Sequence, residues 1–185
     1  MKYAIILLVV LSACNTSNPL QLPQKGDKID SLDGVIVYEN GNMNNVSGRN
    51  VTADGYNLGL KYQCVEFVKR YYYEHYRHKM PNSYGNAKDF FNAQISDGRI
   101  NTDRGLLQFK NGSKTPPKKG DLVVLDGSFF NRFGHVAIVS GCKNNKVEII
   151  QQNCGSSRVT YQLSKNAKKY TLNNSGILGW LRMKH

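Results

Sequence analysis

The chain has 185 residues, of which 40% are hydrophobic and 21% charged, and it contains 11 Tyr and 7 Phe. This length suits one domain with one core, and the aromatic content excludes a low-complexity disordered chain. The single long apolar run lies at the N-terminus, which excludes a multi-span membrane protein. The net charge of +12 favours an anionic partner, but charge alone does not distinguish nucleic acid, anionic lipid and cell-wall polymer.

The N-terminal segment has the pattern of a secretion signal. A basic Met1-Lys2 start precedes YAIILLVVL at 3–11, which is too short to span a hydrocarbon core of about 30 Å. Two small residues and Cys14 follow, which resembles a bacterial lipobox; a standard signal peptide with a chance cysteine is the alternative. We therefore predict a cleaved lipoprotein signal at 1–13 and a lipidated cysteine with a flexible tether over 14–33. The protein would then be anchored in the cell envelope, outside the cytoplasm.

Residues 34–185 are predicted to form one α+β domain, with N-terminal helices packed on an antiparallel sheet. A short strand, GVIVY at 34–38, precedes a loop rich in Asn and Gly over 40–60. From Gln63 onwards apolar residues recur at helical spacing with charges between them, and a second helix is expected over 87–95. Further strands are expected at 122–125, 135–140, 147–152 and 177–182.

The chain contains four cysteines, Cys14, Cys64, Cys142 and Cys154. With Cys14 lipidated an odd number remains, so at least one free thiol is expected. A disulfide between Cys142 and Cys154 is the simplest pairing, but the strand register places them roughly 26 Å apart, far beyond disulfide reach. No CxxC spacing occurs, and no metal site and no cofactor are predicted.

Cys64, at the start of the first predicted helix, is the candidate nucleophile. Unpaired backbone N–H groups and the positive end of the helix dipole favour a thiolate there, so a lowered thiol pKa is expected. The alternative is a structural cysteine that packs as a small hydrophobe. His135 follows Gly134 at a junction of loop and strand, where a side chain can project into a cleft, and it is the candidate general base.

The register of the hairpin that starts at His135 indicates the residue that orients the imidazole. With a three-residue loop at 143–145, Ala137 lies opposite Gln151, so Gln151 is diagonal to His135 on the same face. Asn153 falls directly opposite His135. We predict that Gln151 orients the imidazole and that Asn153 supplies a second polar contact.

The sequence resembles the CHAP (cysteine, histidine-dependent amidohydrolase/peptidase) family in the motifs YQCVEFVKRYY, GHVAIVS, KVEIIQQN and ILGW. Within this family it most resembles the amidase domain of bifunctional glutathionylspermidine synthetase/amidase. The resemblance runs from about Gly34 to the C-terminus and implies a papain-like fold, with Cys64 as nucleophile and His135 as base. The family pattern Glu-Gln-Asn reads Gln-Gln-Asn here, from Gln151. An amide can still fix the imidazole tautomer but cannot stabilise imidazolium by charge, so a weaker enzyme or a narrower pH range is expected.

The backbone N–H of Cys64 and the side chain of Gln63 are the candidates for an oxyanion hole, with Tyr62 as the alternative to Gln63, unless Gln63 only caps the helix. The resemblance implies acyl transfer through a Cys64 thioester without metal or cofactor. The compartment and charge favour peptide amides of peptidoglycan as substrate, with the membrane reached through the lipid on Cys14 and no nucleic-acid partner. The alternatives are hydrolysis of a small γ-glutamyl or polyamine amide and a catalytically weak module that binds cell-wall peptides.

Overall fold

The computed structural model describes residues 22–184. The predicted signal peptide, Cys14 and the first part of the tether lie outside the described residues. Within residues 22–184, no helix has the length and apolar character needed to cross a membrane.

This part of the chain forms one α-helix, one 3-10 turn and twelve strands, and every strand pair is antiparallel. The helix is α1 (Cys64–Tyr76) and the 3-10 turn covers Ala87–Phe90. The strands are β1 (Lys28–Leu32), β2 (Val35–Tyr38), β3 (Arg49–Val51), β4 (Asn57–Leu60), β5 (Arg99–Asn101), β6 (Leu106–Lys110), β7 (Leu122–Leu125), β8 (His135–Lys143), β9 (Lys146–Ile150), β10 (Arg158–Asn166), β11 (Lys169–Leu172) and β12 (Ile177–Arg182).

An eight-stranded sheet in the order β11-β10-β9-β8-β7-β12-β6-β5 carries the core. Side chains alternate between its two faces. Val136 and Ile138 of β8 therefore pack with α1 in one buried cluster, whereas Ala137 and Val139 pack with Trp180 in a second cluster on the other face. The strand predicted at 122–125 is buried at three of its four positions, as expected for a strand with apolar layers on both sides.

The mixed α and β architecture is confirmed, but the prediction of several N-terminal helices is wrong. The segment predicted as a second helix, 87–95, contains only the 3-10 turn Ala87–Phe90. Beyond the turn, Gln108 of β6 accepts a hydrogen bond from the Asn92 N–H (3.0 Å) and donates one to the Asn92 carbonyl (2.8 Å). A long-range partner therefore satisfies backbone groups that a helix would have paired internally.

Two small sheets contain strands that the sequence did not predict. β1, which lies within the stretch predicted as tether, pairs with β2, the strand predicted at 34–38, so folded structure begins before Gly34. Its polar residue Asp30 is bound by Arg158 at 2.9 Å and by Ser157 at 2.8 Å, from the other end of the chain. β3 pairs with β4 inside the predicted 40–60 loop. The sequence analysis missed β1, β3 and β4, because their stretches are polar and some of the partners of their polar groups, such as those of Asp30, are distant in sequence.

The β8–β9 hairpin has the predicted register beside the site, although its turn differs from the predicted one. The turn has two residues, Asn144 and Asn145, both with positive φ, instead of a three-residue loop. A bulge between Val139 and Gly141 inserts one residue into β8. The bulge compensates for the shorter turn, so Ile138 pairs with Ile150 as the predicted register requires.

Candidate active site

Cys64 is the first residue of α1, and its thiol is half-buried in the wall of a cleft. The helix begins at Cys64 because the backbone of the preceding residue, Gln63, is extended (φ −83°, ψ 162°) and not helical. Burial raises the pKa of the Cys64 thiol above its ordinary value, and the backbone N–H groups of Val136, Val65 and Cys64 offset part of that rise. The expected lowering of this pKa is therefore absent, because desolvation outweighs the N–H groups at the helix start.

His135, the first residue of β8, lines the same cleft as Cys64, and the sulfur lies against the backbone N–H of Val136, the next residue in β8. The His135 Nε2 atom is 3.0 Å from Oε1 of Gln151. Gln151 is buried, and its Nε2 donates to the carbonyl of Ser156 at 2.8 Å. Its Oε1 is therefore the atom that faces the ring, so Nε2 of His135 carries the hydrogen and Nδ1 is free to accept a proton.

Burial lowers the pKa of His135 to about 4, although the hydrogen bond to Gln151 acts in the opposite direction and raises this pKa. The imidazole is accordingly neutral near pH 7. Because burial also raises the thiol pKa, Cys64 and His135 rest as a neutral pair. A reaction at this thiol would therefore require its proton to move to the ring.

Gln63 and Asn153 form an amide network beside the cysteine. The Gln63 Nε2 donates to the carbonyls of Asn45 (2.8 Å) and Met43 (3.3 Å), and its Oε1 accepts from Asn153 Nδ2 at 2.5 Å. Gln63 makes no side-chain cap of α1. The described hydrogen bonds of the Asn153 side chain go to Gln63, Met43 and Asn40 instead of His135. An oxyanion role for Gln63 stays a prediction, and it requires the side chain to release one of these carbonyls.

A buried polar cluster, which the sequence analysis missed, joins α1 to the end of β9. Arg70 Nε lies 2.7 Å from Glu66 Oε1, one helical turn along α1, and Glu66 is 1% exposed. Gln152 Nε2 donates to Glu66 Oε2 at 2.8 Å and to the Gln63 carbonyl at 3.1 Å. The cluster thus fixes the start of the cysteine helix against the strand end that carries Gln151. The i,i+4 spacing of Glu66 and Arg70 was the available signal, but the periodicity assigned both to a solvent face.

A third charged residue of α1, Lys69, is also buried. Its Nζ donates to the carbonyls of Asn57 and Ser83, and it lies over the Tyr56 ring at 5.1 Å from the centroid. Burial lowers the pKa of Lys69 to about 8. It fastens β4 and the 83–87 segment, both of which line the cleft, to the back of the cysteine helix.

The cleft encloses about 740 Å³ and has Cys64 and His135 in its wall. Arg49 and Arg132 bring positive charge to its lining, and no Asp or Glu is found among the described lining residues. Within residues 22–184, no group of three or more His, Cys, Asp or Glu side chains could hold a metal ion. Cys142 and Cys154 are exposed free thiols outside the cleft lining, in agreement with the predicted absence of a disulfide between them.

The CHAP domain family model matches residues 53–153. The chain belongs to the CHAP domain family. The match spans α1 with Cys64 and β8 with His135, and it ends at Asn153. The resemblance predicted from the cysteine and histidine motifs is thereby confirmed.

Two curated relatives are similar to this CHAP domain. The chain is 33% identical over 138 residues to the bifunctional glutathionylspermidine synthetase/amidase of Escherichia coli (strain K12), which covers 67% of this chain and 22% of that protein. It is 27% identical over 119 residues to the trypanothione synthetase of Crithidia fasciculata, which covers 64% and 18% respectively. The chain thus spans about a fifth of the length of these relatives.

Among solved structures, the wild-type endolysin LysIME-EF1 aligns with a TM-score of 0.40 and 21% identity, which covers 76% of this chain and 60% of that one.

Proposed function

We propose that this protein is a cysteine amidohydrolase of the cell envelope that cleaves peptide amide bonds of peptidoglycan through a Cys64 thioester. Membership of the CHAP family and similarity to an amidase-containing relative support a hydrolase acting on amide bonds. The observation that carries the proposal is the hydrogen bond from His135 Nε2 to Gln151 Oε1, in a cleft shared with Cys64. It leaves Nδ1 of His135 as an unprotonated base in the cleft that Cys64 also lines.

In the first half of the proposed reaction, Cys64 attacks the amide carbonyl carbon while its proton passes to Nδ1 of His135. The negative charge on the carbonyl oxygen is stabilised by the Cys64 backbone N–H, one of the first backbone donors of α1. The C–N bond then breaks, and the imidazolium gives its proton to the departing amine. The products are a free amine and a thioester on Cys64.

In the second half, water attacks the thioester while His135 accepts one of its protons. The C–S bond breaks and the proton returns to sulfur, so the carboxylic acid leaves and the neutral Cys64–His135 pair is restored. Gln151 holds the ring in one tautomer throughout, because its own amide is fixed by the Ser156 carbonyl.

The charge of the cleft supports a wall-derived substrate over a polyamine amide. A polyamine carries several positive charges, and the cleft lining offers two arginines without a described carboxylate. Wall peptides bear carboxylates, which suit a lining whose only described acidic or basic side chains other than His135 are arginines. The competing candidate, hydrolysis of a small γ-glutamyl or polyamine amide, has the 33% identity to the glutathionylspermidine synthetase/amidase in its favour.

The proposed location depends on the N-terminal pattern and not on the fold. Lipidation of Cys14 after cleavage of the 1–13 segment would hold the domain at a membrane through at least two acyl chains. Mass spectrometry of the protein from a membrane fraction tests this, since a mature N-terminus at acylated Cys14 is expected. An N-terminus at another residue, with a free thiol at Cys14, would contradict the anchor.

Digestion of purified peptidoglycan sacculi tests the reaction. A chain lacking residues 1–21 should release soluble fragments that mass spectrometry identifies by their new amine and carboxyl ends. Cys64→Ala and His135→Ala should abolish release. The double variant Cys142→Ser/Cys154→Ser is the matched control and should retain it, because both thiols lie outside the cleft.

The same assay separates the alternatives. Release of spermidine from glutathionylspermidine with sacculi left intact would favour the polyamine amide. Binding to sacculi without release, unchanged in Cys64→Ala, would favour the catalytically weak binding module.

A further inference from the structure

The loop 127–134, which leads into His135 and is named the aromatic loop below, exposes two phenylalanines almost completely. Phe129 is 97% and Phe130 94% exposed, and their rings meet edge to face at 5.4 Å between centroids. Phe133, on the same loop, is 50% exposed. Fully exposed adjacent phenylalanines are costly in water, so this loop points to a partner surface.

Apolar exposure is concentrated around the cleft mouth. Six of the nine large hydrophobic side chains exposed within residues 22–184 line the cleft. Three belong to the aromatic loop, and the other three are Met43, Val46 and Tyr84. These six side chains, named the rim below, border a cleft whose lining also includes Gln63, Cys64 and His135.

The charges of this rim select the kind of surface it fits. Arg132, in the aromatic loop, is exposed and lies over the Phe133 ring at 5.1 Å from its centroid. Arg49 adds a second positive charge, and no carboxylate is found in the described lining. Asp126, at the base of the loop, accepts a hydrogen bond from the Gly127 N–H at 2.7 Å. Apolar tips beside guanidinium groups, on a chain of net charge +12, match an interface whose surface is anionic and whose interior is apolar.

The N-terminal segment enters the described structure on the same side. The Gly26 N–H donates to the Glu39 carbonyl at 2.8 Å, and Lys25 lies beside Gly41, two residues before the rim residue Met43. Eleven Cα–Cα steps separate Cys14 from Lys25, so the two residues lie at most about 40 Å apart. The lipid anchor proposed above would therefore hold this rim near the bilayer.

We propose that the rim docks on an anionic phospholipid bilayer, with Phe129 and Phe130 inserted in the interface and Arg132 beside lipid phosphates. The docking orients the cleft mouth towards the membrane surface, where amides of membrane-proximal wall peptides reach Cys64. This orientation rests on the proposed function, whereas the docking itself depends only on the rim.

Vesicle cosedimentation tests the docking with a chain of residues 22–185, which lacks both the apolar 3–11 run and Cys14. Both hydrophobic clusters of the described structure are formed between residues 29 and 183, so this segment retains its core. Vesicles of phosphatidylcholine with 30% phosphatidylglycerol should bind the protein, and vesicles of phosphatidylcholine alone should bind it several-fold less. No binding to the anionic vesicles would overturn the proposal.

Three variants locate the contact. Phe129→Ser/Phe130→Ser should weaken binding at least tenfold, and Arg132→Gln should weaken it about fivefold on anionic vesicles only. The matched control Val51→Ser/Ile100→Ser removes two exposed apolar side chains outside the cleft lining and should stay within twofold of the wild type. Equal binding of the phenylalanine variant and the wild type, with both folded by circular dichroism, would refute the docking.

Activity measurements keep this result separate from the proposed reaction. Cys64→Ala should bind vesicles as the wild type does, whatever the outcome of the sacculus assay. If the phenylalanine variant lost sacculus digestion but kept vesicle binding, the rim would be a substrate subsite and the membrane proposal would be wrong.

Discussion

Replacing Gln151 with glutamate tests how the third residue controls the thiol. In the wild type a neutral amide oxygen faces His135 Nε2 at 3.0 Å, in a buried position where the amide is 4% exposed. Gln151→Glu places a carboxylate at that distance with almost no change of shape. The second carboxylate oxygen then faces the Ser156 carbonyl, which the amide N–H had satisfied at 2.8 Å, so part of the electrostatic gain is lost.

An adjacent opposite charge raises a histidine pKa by about 1–3 units, which corresponds to about 1.4–4 kcal/mol. The wild-type pKa of His135 is lowered to about 4 and the thiol pKa is raised, so the thiolate–imidazolium pair is a very minor species. Each unit by which the His135 pKa rises makes this ion pair about tenfold more abundant. Because the thiolate and the imidazolium attract each other, the ion pair contributes most to the reactivity of Cys64 at acidic pH, where loss of the proton to water gives little thiolate.

The assay is the rate of Cys64 alkylation by iodoacetamide between pH 5 and 9, in a Cys142→Ser/Cys154→Ser background lacking residues 1–21. We expect Gln151→Glu to react about tenfold faster than the parent near pH 6, and the two rates to converge above pH 8. The control Gln162→Glu adds the same charge on an exposed position of β10 and should leave the profile unchanged. A rate within twofold of the parent at pH 6, from a variant with unchanged thermal unfolding, would refute this account of Gln151.

Three further predictions concern the frame of the site. Gln152→Ala should lower the free energy of unfolding by about 1–3 kcal/mol in urea titrations, because it leaves Glu66 and other buried polar groups without their partner. A loss under 0.5 kcal/mol would contradict this prediction and show that water replaces the amide. Gly134→Ala should cost at least about 2 kcal/mol by the same measurement, since φ is +75° and a Cβ would lie 2.6 Å from a backbone carbonyl oxygen; wild-type stability would contradict the strain. Arg158 lowers the pKa of Asp30 from 3.8, so this carboxylate stabilises the fold above about pH 4, and the contribution is lost as the pH falls through the lowered pKa. The stability difference between wild type and Asp30→Asn should therefore be largest near neutral pH and shrink below pH 4, and a difference that stayed constant down to pH 2 would contradict the pairing.

The sequence pattern predicted correctly those helices and strands that depend mainly on residues close together in the chain. The helix that starts at Cys64 and the strands at 122–125 and 177–182 follow from periodicity, and the structure has them at those positions. The register that carries Gln151 to His135 was also predicted, although a two-residue turn and a bulge produce it together. Alternation along paired strands fixes which side chains share a face, and the inserted residue restored that alternation.

The sequence alone thus determined the family, the helix bearing the cysteine, the strand bearing the histidine, and the facing of Gln151 and His135. Tertiary structure alone decided that Glu66 and Arg70 are buried around Gln152, and that Asn153 binds Gln63 instead of His135. It also reversed the expected direction of the thiol pKa shift, since burial outweighs the donors at the helix start. The reason is physical: periodicity records which side chains avoid water along one element, whereas the free energy of a buried polar group depends on partners that only the folded chain brings within reach.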